Sequence, residues 1–301
     1  MPSSRDLHGA RVLITGASSG VGAAAAVAFS RAGADVALLA RSAPGLEAVA
    51  ARCPGRTLVL PADVTSQEAM EIAVRTVEDE WGGLDVAVSN AAAMVFGPFA
   101  DVSKRDFDRT VDATFLGAVN VIRAALPALE RTGGTVVVTG SINGMTPLPS
   151  FSAYAASKAA LRSFVRSLRI ELGARRSKVR LTIVSPGAIA TPVWRGVSSA
   201  TGRLPRTPPE GYGAEVLGAA LVDAARRPRR REIVVGGEAR FWLRLWRTPL
   251  LGDLVLTLVH LYYNSGRRPA VEDPLWEPAG DGATRGPILA RPSLLERLRG
   301  R

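Results

Sequence analysis

The chain has 301 residues, 47% of them hydrophobic, which is enough for one large α/β domain or two small ones and excludes a wholly disordered protein. A single cysteine, Cys53, excludes an internal disulfide and suits a reducing compartment. The formal net charge of +11 would indicate a nucleic-acid partner only if it were concentrated on one face, and we expect no such partner.

The N-terminus contains no apolar segment before the first predicted strand. No secretory signal is therefore predicted, and a cytoplasmic location is expected. The only histidines are His8 and His260, so the sequence shows no cluster with metal-ligand spacing and no metal site is predicted.

The first predicted elements are a short buried strand at 11–15, a glycine turn at 16–22 and an alanine-rich helix at 23–31. In this order the N–H groups and the dipole of the helix N-terminus face an anion, and the missing Cβ atoms let a pyrophosphate approach. Gly16, Gly20 and Gly22 have the spacing Thr-Gly-x-x-x-Gly-x-Gly. This pattern predicts a dinucleotide cradle, although by itself it also suits a plain tight turn.

A second strand is predicted at 36–40, with Arg41 as the first residue beyond it. In dinucleotide-binding folds an acid near this point binds the ribose 2′-hydroxyl, whereas an arginine accommodates a 2′-phosphate. Arg41 therefore predicts NADP rather than NAD as the cofactor. The alternative is a solvated arginine at a strand end.

The rest of the core alternates strands with long helices. Asp63 follows the third strand and is expected to meet an adenine edge, and Asn90 follows the fourth and is expected to line the cofactor cleft. This alternation predicts an α/β fold with a doubly wound parallel sheet covered on both faces. The further strands are predicted at 57–60, 84–89, 135–140, 179–184 and 232–235, and the helices at 67–81, 104–126, 152–173 and 212–226.

Ser141 ends one of these strands, and Tyr154 and Lys158 lie one helical turn apart on the helix that follows. Residues at i and i+4 point the same way, so the ammonium is expected beside the phenol oxygen, where a cation favours the phenolate and lowers the pKa of the tyrosine. The three residues are a candidate acid/base site at the end of the sheet where open α/β folds bind ligands. A Tyr-x-x-x-Lys spacing alone also occurs by chance.

Residues 193–213 are rich in Gly, Pro, Ser and Thr and are predicted to form a lid over the substrate, with a disordered linker as the alternative. The Rossmann domain is predicted to end at Gly237, and residues 238–301 form a C-terminal extension. Trp194, in the lid, and Phe241, Trp242 and Trp246, in the extension, hint at a lipophilic substrate or at internal packing.

The extension is predicted to contain an amphipathic helix at 250–263, with Leu250, Leu254, Leu258 and their neighbours on one apolar stripe and Asp253 and His260 opposite. This run is too short to span a bilayer. It is expected either to pack on the domain or a second subunit, or to make peripheral membrane contact. After 268 the chain is expected to be largely irregular.

Taken together and in order, these motifs resemble the short-chain dehydrogenase/reductase family over about residues 8 to 237. The likeness rests on the glycine turn, Ser141, the Tyr154 and Lys158 pair, and the dipeptides that begin at Asp63, Asn90 and Pro186. It implies a seven-stranded Rossmann sheet, a homodimer or homotetramer, and hydride transfer between NADP(H) and a ketone or secondary alcohol.

The resemblance also assigns roles to individual residues. Tyr154 looks like the proton donor to the carbonyl oxygen, Ser141 like its hydrogen-bonding partner, and Lys158 like the residue that lowers the tyrosine pKa and holds the nicotinamide ribose. Thr191 looks like a contact of the carboxamide. The implied cofactor-binding residues are Gly16, Ser18, Ser19, Gly20, Val21, Gly22, Arg41, Asp63, Val64, Asn90, Tyr154, Lys158, Pro186, Gly187, Ile189 and Thr191.

Two departures from the family pattern stand out. Thr114 occupies the place of the usual asparagine that supports a water relay to the lysine, so we expect a weakened or rerouted relay with Thr114 as the fourth catalytic residue. Asn120 is turned away from that helix face and cannot replace the asparagine. Ala92 adds a methyl group where glycine is usual. A dinucleotide-binding regulator or scaffold without turnover is the alternative function.

Overall fold

The structure is a computed structural model that describes residues 6–195, 197–228, 232–246, 248, 250–266, 269–270, 273–278, 280–287 and 289–291. In chain order the strands are β1 (Arg11–Thr15), β2 (Asp35–Ala40), β3 (Thr57–Pro61), β4 (Val86–Ser89), β5 (Val95–Phe96), β6 (Thr135–Thr139), β7 (Arg180–Pro186), β8 (Ser198–Ser199), β9 (Glu210–Tyr212), β10 (Glu232–Val235) and β11 (Leu289–Arg291). The α-helices are α1 (Gly20–Arg31), α2 (Ala43–Ala50), α3 (Gln67–Trp81), α4 (Lys104–Val111), α5 (Gly117–Thr132), α6 (Ser152–Ala174), α7 (Ala214–Arg226), α8 (Gly237–Trp246) and α9 (Leu251–Asn264).

Seven strands form one parallel sheet in the order β10-β7-β6-β4-β1-β2-β3. The predicted doubly wound Rossmann sheet is confirmed. The chain runs outward from β1 to β3 and then returns to β4 on the other side of β1, so the strand order reverses between β1 and β4. A crevice therefore opens at the carboxyl ends of these two strands, where such folds bind ligands.

Apolar residues cover both faces of the sheet. On one face Phe29 of α1 and Leu217 of α7 belong to a buried cluster, and on the other Met70 of α3, Ile122 of α5 and Leu161 of α6 belong to a second one. A parallel sheet buried on both sides needs nearly continuous apolar strands, which the sequences of β1, β2 and β6 supply.

The fourth long helix is interrupted by one π-helical turn, Asp112–Leu116, between α4 and α5. The sequence predicts an end at about residue 126, but α5 continues to Thr132 with Pro127 inside the helix. Burial of Ala128 and Leu129 in the core stabilises this last turn despite the missing backbone donor. By length and composition the helical segment Lys104–Thr132 could cross a membrane, but 44% of its most apolar stretch is buried inside the protein.

The predicted domain boundary after Gly237 stays a prediction, but the extension beyond it does contact the core. Strand β11 pairs with β9, which precedes the boundary, and Leu275 is buried beside Val95 of β5. The part of the predicted irregular end that follows Arg291 lies outside the described residues. The side chain of Trp242 is also outside the described part of the chain.

Candidate active site

Ser141, Tyr154 and Lys158 meet at the carboxyl edge of the sheet. Ser141 directly follows Gly140, the residue after β6, and the other two lie in the first turns of α6. The hydroxyl of Ser141 lies near enough to the phenol of Tyr154 to affect its pKa, and all three residues line the same cavity. The three residues predicted to form the acid/base site therefore share one cavity.

Lys158 is buried, with 3% of its surface exposed, and its Nζ donates a hydrogen bond to the carbonyl of Thr139 at 2.8 Å. The ammonium lies 5.7 Å from the centroid of the Tyr154 ring. Burial lowers the pKa of Lys158 to about 8, because a desolvated ammonium loses its hydration. The lysine therefore remains largely protonated at neutral pH.

The direction of the Tyr154 pKa differs from the sequence-based expectation. Burial raises the pKa of Tyr154 to about 12, and the neighbouring Ser141 hydroxyl only partly offsets this rise. The expected lowering by Lys158 is absent because desolvation dominates and the ammonium is directed to the Thr139 carbonyl. In this structure the phenol is a protonated donor at neutral pH.

The glycine turn brings the chain close to its own backbone. A Cβ at position 22 would lie 2.0 Å from the carbonyl oxygen of Gly16, and Gly16 itself has a φ of +67°, so neither position accepts another residue without strain. Helix α1 begins at Gly20, which places its first N–H groups at the cavity. This arrangement is the anion-binding end that the motif predicts.

Asn90 joins three strand ends. Its amide nitrogen donates to the carbonyl of Thr15 at 3.1 Å, and its amide oxygen accepts from the Thr139 hydroxyl at 3.1 Å. The Thr15 hydroxyl also accepts from the backbone N–H of Asn90 at 3.0 Å. Asn90 therefore lines the cavity, as predicted, and also holds the ends of β1, β4 and β6 together.

Asp63 lines the cavity but has a partner that sequence reasoning missed. Its carboxylate accepts from Arg109 of α4 at 2.5 Å and from both the backbone N–H and the hydroxyl of Thr65. Burial raises the pKa of Asp63, but the hydrogen bonds from Arg109 and Thr65 outweigh it and leave the pKa below its ordinary value. No motif marks Arg109, since its proximity arises only when α4 crosses the sheet edge.

Arg41 lines the cavity, and its guanidinium is also bonded to the C-terminal extension. Its guanidinium donates to four backbone carbonyls of residues 274–277 at 2.6–3.2 Å. Burial lowers its pKa, and the nearby charge of Arg109 lowers it further. The alternative of a solvated arginine is wrong, because the C-terminal extension lies against this end of the cleft.

Thr114 lies in the π-helical turn, and such turns are frequent at functional sites. Its hydroxyl donates to the carbonyl of Ala93 at 2.9 Å and accepts from the same residue's N–H at 3.0 Å. It is fully buried and is not among the residues that line the cavity. Thr114 therefore anchors the loop after β4. Asn120 points elsewhere, as expected, and donates to the carbonyls of Val64 and Thr65.

The loop after β7 lines the cavity. The N–H of Gly187 donates to the carbonyl of Val235, and the buried Thr191 follows at the end of the loop. The cavity has a volume of about 1190 Å³. Its lining includes most of the cofactor-binding positions given by the sequence: Gly16, Ser18, Ser19, Gly20, Val21, Arg41, Asp63, Val64, Asn90, Tyr154, Lys158, Pro186, Gly187, Ile189 and Thr191.

Aromatic side chains form the other end of the cavity. Trp194 stacks on Tyr263 of α9 at a centroid distance of 6.1 Å, and both rings pack edge-on against Phe151. Tyr263 was not singled out by the sequence. Helix α9 therefore supplies part of the wall beside the catalytic residues.

The packing face of α9 coincides only in part with the predicted stripe, since Val259 and Tyr262 of the stripe line the cavity. Leu254 and Leu258 are each 57% exposed, whereas His260, predicted on the side opposite the stripe, is partly buried and hydrogen-bonds the Ser150 hydroxyl at 3.0 Å. The helix turns this way because Gly252 packs directly on the backbone of Trp246, where a Cβ would come within 2.5 Å of its carbonyl oxygen. Apolar periodicity alone cannot identify which side meets the core.

A family model described as short chain dehydrogenase matches residues 10–202, well over half of the chain. The chain belongs to the short-chain dehydrogenase family. It is an oxidoreductase by this membership, and the resemblance found from the motifs is confirmed. The match ends before the residues that cover Arg41.

Family relatives have diverse names. The chain is 31% identical over 185 residues, 61% of its length and 80% of the relative's, to an uncharacterized oxidoreductase of Staphylococcus epidermidis. It is 36% identical over 198 residues to an 11-beta-hydroxysteroid dehydrogenase of Pinus massoniana, covering 64% of this chain and 54% of that one. It is 35% identical over 197 residues to a glucose 1-dehydrogenase of Gluconobacter oxydans, covering 62% and 71%.

Solved structures of the family share the fold. The alcohol dehydrogenase of the archaeon Thermococcus sibiricus, complexed with 5-hydroxy-NADP, is 27% identical with a TM-score of 0.63, over 75% of this chain and 95% of that one. A short-chain type dehydrogenase/reductase from Mycobacterium marinum is 28% identical with a TM-score of 0.65, over 78% and 96%. In both comparisons nearly the whole known structure is matched, so the unmatched part belongs to this chain.

Proposed function

We propose that this short-chain dehydrogenase is an NADP-dependent reductase of ketones, and that its substrate is lipophilic. The observation that carries the proposal is that Ser141, Tyr154 and the buried Lys158 line one cavity together with the glycine turn. Two hydroxyls converging on one point can hold a carbonyl oxygen and donate a proton to it.

The cavity suits a nicotinamide dinucleotide in chemistry and extent. The N–H groups at the start of α1 would hold the pyrophosphate, Arg41 the 2′-phosphate, and Thr191 and Lys158 the nicotinamide end. When bound, the nicotinamide ring supplies the electron pair and hydrogen gained by the substrate carbon. The end of β2 carries Ala40 and Arg41 where an NAD-binding fold would have an acidic residue, which supports NADP over NAD.

A protonated Tyr154 suits the reduction of a carbonyl group. With a pKa of about 12, Tyr154 carries its proton at neutral pH and can donate it to a carbonyl oxygen that gains negative charge. Ser141 would donate a second hydrogen bond to that oxygen. The positive charge of Lys158 would stabilise the phenolate left behind, and Thr139 holds the ammonium in place.

The aromatic end of the cavity supports a lipophilic substrate. Phe151, Trp194 and Tyr263 bring three rings into contact near Tyr154, which packs against the same cluster. Flat apolar surfaces of this kind bind substrates mainly through burial and leave orientation to a few polar groups. The two hydroxyls at the catalytic position would supply that orientation.

The decisive assay is NADPH oxidation with a panel of aromatic and alicyclic ketones, for the parent chain and for Tyr154→Phe. We expect turnover in the parent and a loss of about 100-fold or more in the variant, with nearly unchanged NADPH binding, because only the proton donor is removed. Retained turnover in the variant would remove the tyrosine from the mechanism. Dinucleotide binding without turnover of any ketone by the parent would favour the regulator or scaffold instead.

Three expectations stay predictions. A homodimer or homotetramer is tested by the sedimentation velocity of the full chain. A cytoplasmic location is tested by cell fractionation. Peripheral membrane contact through the exposed leucines of α9 is tested by co-sedimentation with anionic vesicles, where a fully soluble chain would argue against it.

A further inference from the structure

A C-terminal strap, defined here as residues 273–278 and 280–287, crosses the adenosine half of the cavity. Pro274, Leu275, Glu277, Gly280 and Asp281 belong to the cavity lining together with the glycine turn. The strap lies beyond residue 202, where the match to the family model ends. Its contacts with the cleft involve the same donors that a dinucleotide would need.

The first contact is at the N-terminus of α1. The N–H of Gly20 donates to the carbonyl of Ala283 at 2.7 Å, and the N–H of Gly282 donates to the carbonyl of Ser18 at 2.9 Å. Donors at a helix N-terminus favour an anion, and here a neutral carbonyl oxygen occupies one of them. A phosphate oxygen bound to Gly20 would have to take the place of the Ala283 oxygen.

The second contact is at Arg41. Both terminal nitrogens of its guanidinium donate to strap carbonyls, at residues 274–277. A phosphate is held best by two parallel N–H bonds from one guanidinium edge. Arg41 cannot present these nitrogens to a 2′-phosphate while it retains the carbonyls, so this contact must also be released.

We propose that the strap competes with the cofactor from within the chain and weakens NADP binding more than NAD binding. Both dinucleotides carry the pyrophosphate that displaces Ala283 from Gly20. Only NADP carries the 2′-phosphate that must also displace the strap from Arg41. The strap therefore reduces the selectivity that Arg41 would otherwise confer; this step rests on the proposed NADP preference.

Among the strap contacts made by residues outside the cavity lining, two allow the idea to be tested without replacing a residue of the cofactor site. Arg52 donates to the carbonyl of Gly282 at 2.5 Å. The indole N–H of Trp276 donates to the carboxylate of Asp106 at 2.8 Å, and the guanidinium of Arg105 lies 3.8 Å from the centroid of its ring. Arg52 is beside the Gly20 end of the strap, and Trp276 is beside the Arg41 end.

The experiment is titration calorimetry of the full chain with ADP, adenosine 2′-phosphate, NAD and NADP, comparing the parent with Arg52→Gln and Trp276→Ala. Removing one of these two strap contacts, worth about 1 kcal/mol, should raise the population of the open strap about fivefold. The apparent Kd of a ligand that needs the open strap should fall by about the same factor. We expect Arg52→Gln to tighten ADP and Trp276→Ala to tighten adenosine 2′-phosphate. The double variant should tighten NADP by a larger factor than NAD.

Arg75→Gln, on the exposed side of α3, is the matched control and should leave every Kd unchanged. Equal Kd values for the parent and both anchor variants would overturn the proposal, because the strap would then not compete. Weaker binding in the variants would also overturn it and would mean that the strap closes over the bound cofactor. The ADP and adenosine 2′-phosphate measurements need no turnover. If the parent chain is inactive but the variants bind these ligands more tightly, only the proposed reaction is refuted and the competition by the strap is supported.

Discussion

Replacing Lys158 with methionine should make the protein more stable at neutral pH while removing its activity. The pKa of the buried ammonium falls from 10.5 to about 8, and this difference corresponds to about 3 kcal/mol of free energy lost on burying the charge. The variant also loses the hydrogen bond to the Thr139 carbonyl, worth about 1 kcal/mol. The net gain at pH 7 is therefore about 2 kcal/mol.

The sign of the pH dependence follows from the same pKa. Between the folded pKa of about 8 and the unfolded value of 10.5, the unfolded chain binds a proton that the folded chain has released. The stability contribution of Lys158 therefore rises with pH across this window. We expect the advantage of the methionine variant to shrink above pH 8 and to be nearly gone at about pH 10.

Urea unfolding followed by tryptophan fluorescence at several pH values from neutral to 10 measures both chains under the same conditions. Lys178→Met is the control for the lysine-to-methionine change, since Lys178 is exposed and its replacement should leave the free energy of unfolding at pH 7 unchanged. A constant difference between the Lys158 variant and the parent across the pH range would refute the reasoning, because it would mean that the folded state does not lower the pKa.

Three further predictions follow from the site. Gly22→Ala should weaken dinucleotide binding more than tenfold in titration calorimetry, because the added Cβ would lie 2.0 Å from the carbonyl oxygen of Gly16. Gly173→Ala is the control and should leave binding unchanged, because no atom lies within 4 Å of its added Cβ. Equal losses of affinity in the two variants would refute this account. Arg41→Asp should shift the ratio of kcat/KM values from NADPH toward NADH, and an unchanged ratio would show that Arg41 serves the strap alone. Trp194→Ala should raise KM for bulky aromatic ketones while leaving small ketones unaffected; a uniform change in KM would indicate a general loss of structure.

Local sequence patterns predicted the elements that carry the chemistry. Helix α3 begins and ends at the predicted residues 67 and 81, because Ser66 accepts from the N–H of Ala69 at its start and Gly82 adopts a left-handed conformation at its end. Helix α2 was missed because it is short and begins next to Pro44, although Ser42 caps it. Helix caps are signals of a few residues, and they predict a helix only where the sequence between them is long enough and favours helix formation.

The sequence by itself determined the parallel sheet, the glycine turn and the shared location of Ser141, Tyr154 and Lys158, since these follow from periodicity, from spacing along one helix and from the rule that parallel strands end at one edge of the sheet. Only the tertiary structure decided that burial raises the Tyr154 pKa, that Arg109 pairs with Asp63, and that the strap reaches Arg41. Those facts depend on desolvation and on contacts between residues far apart in the chain. No spacing in the sequence encodes them, because they arise when separate elements pack together.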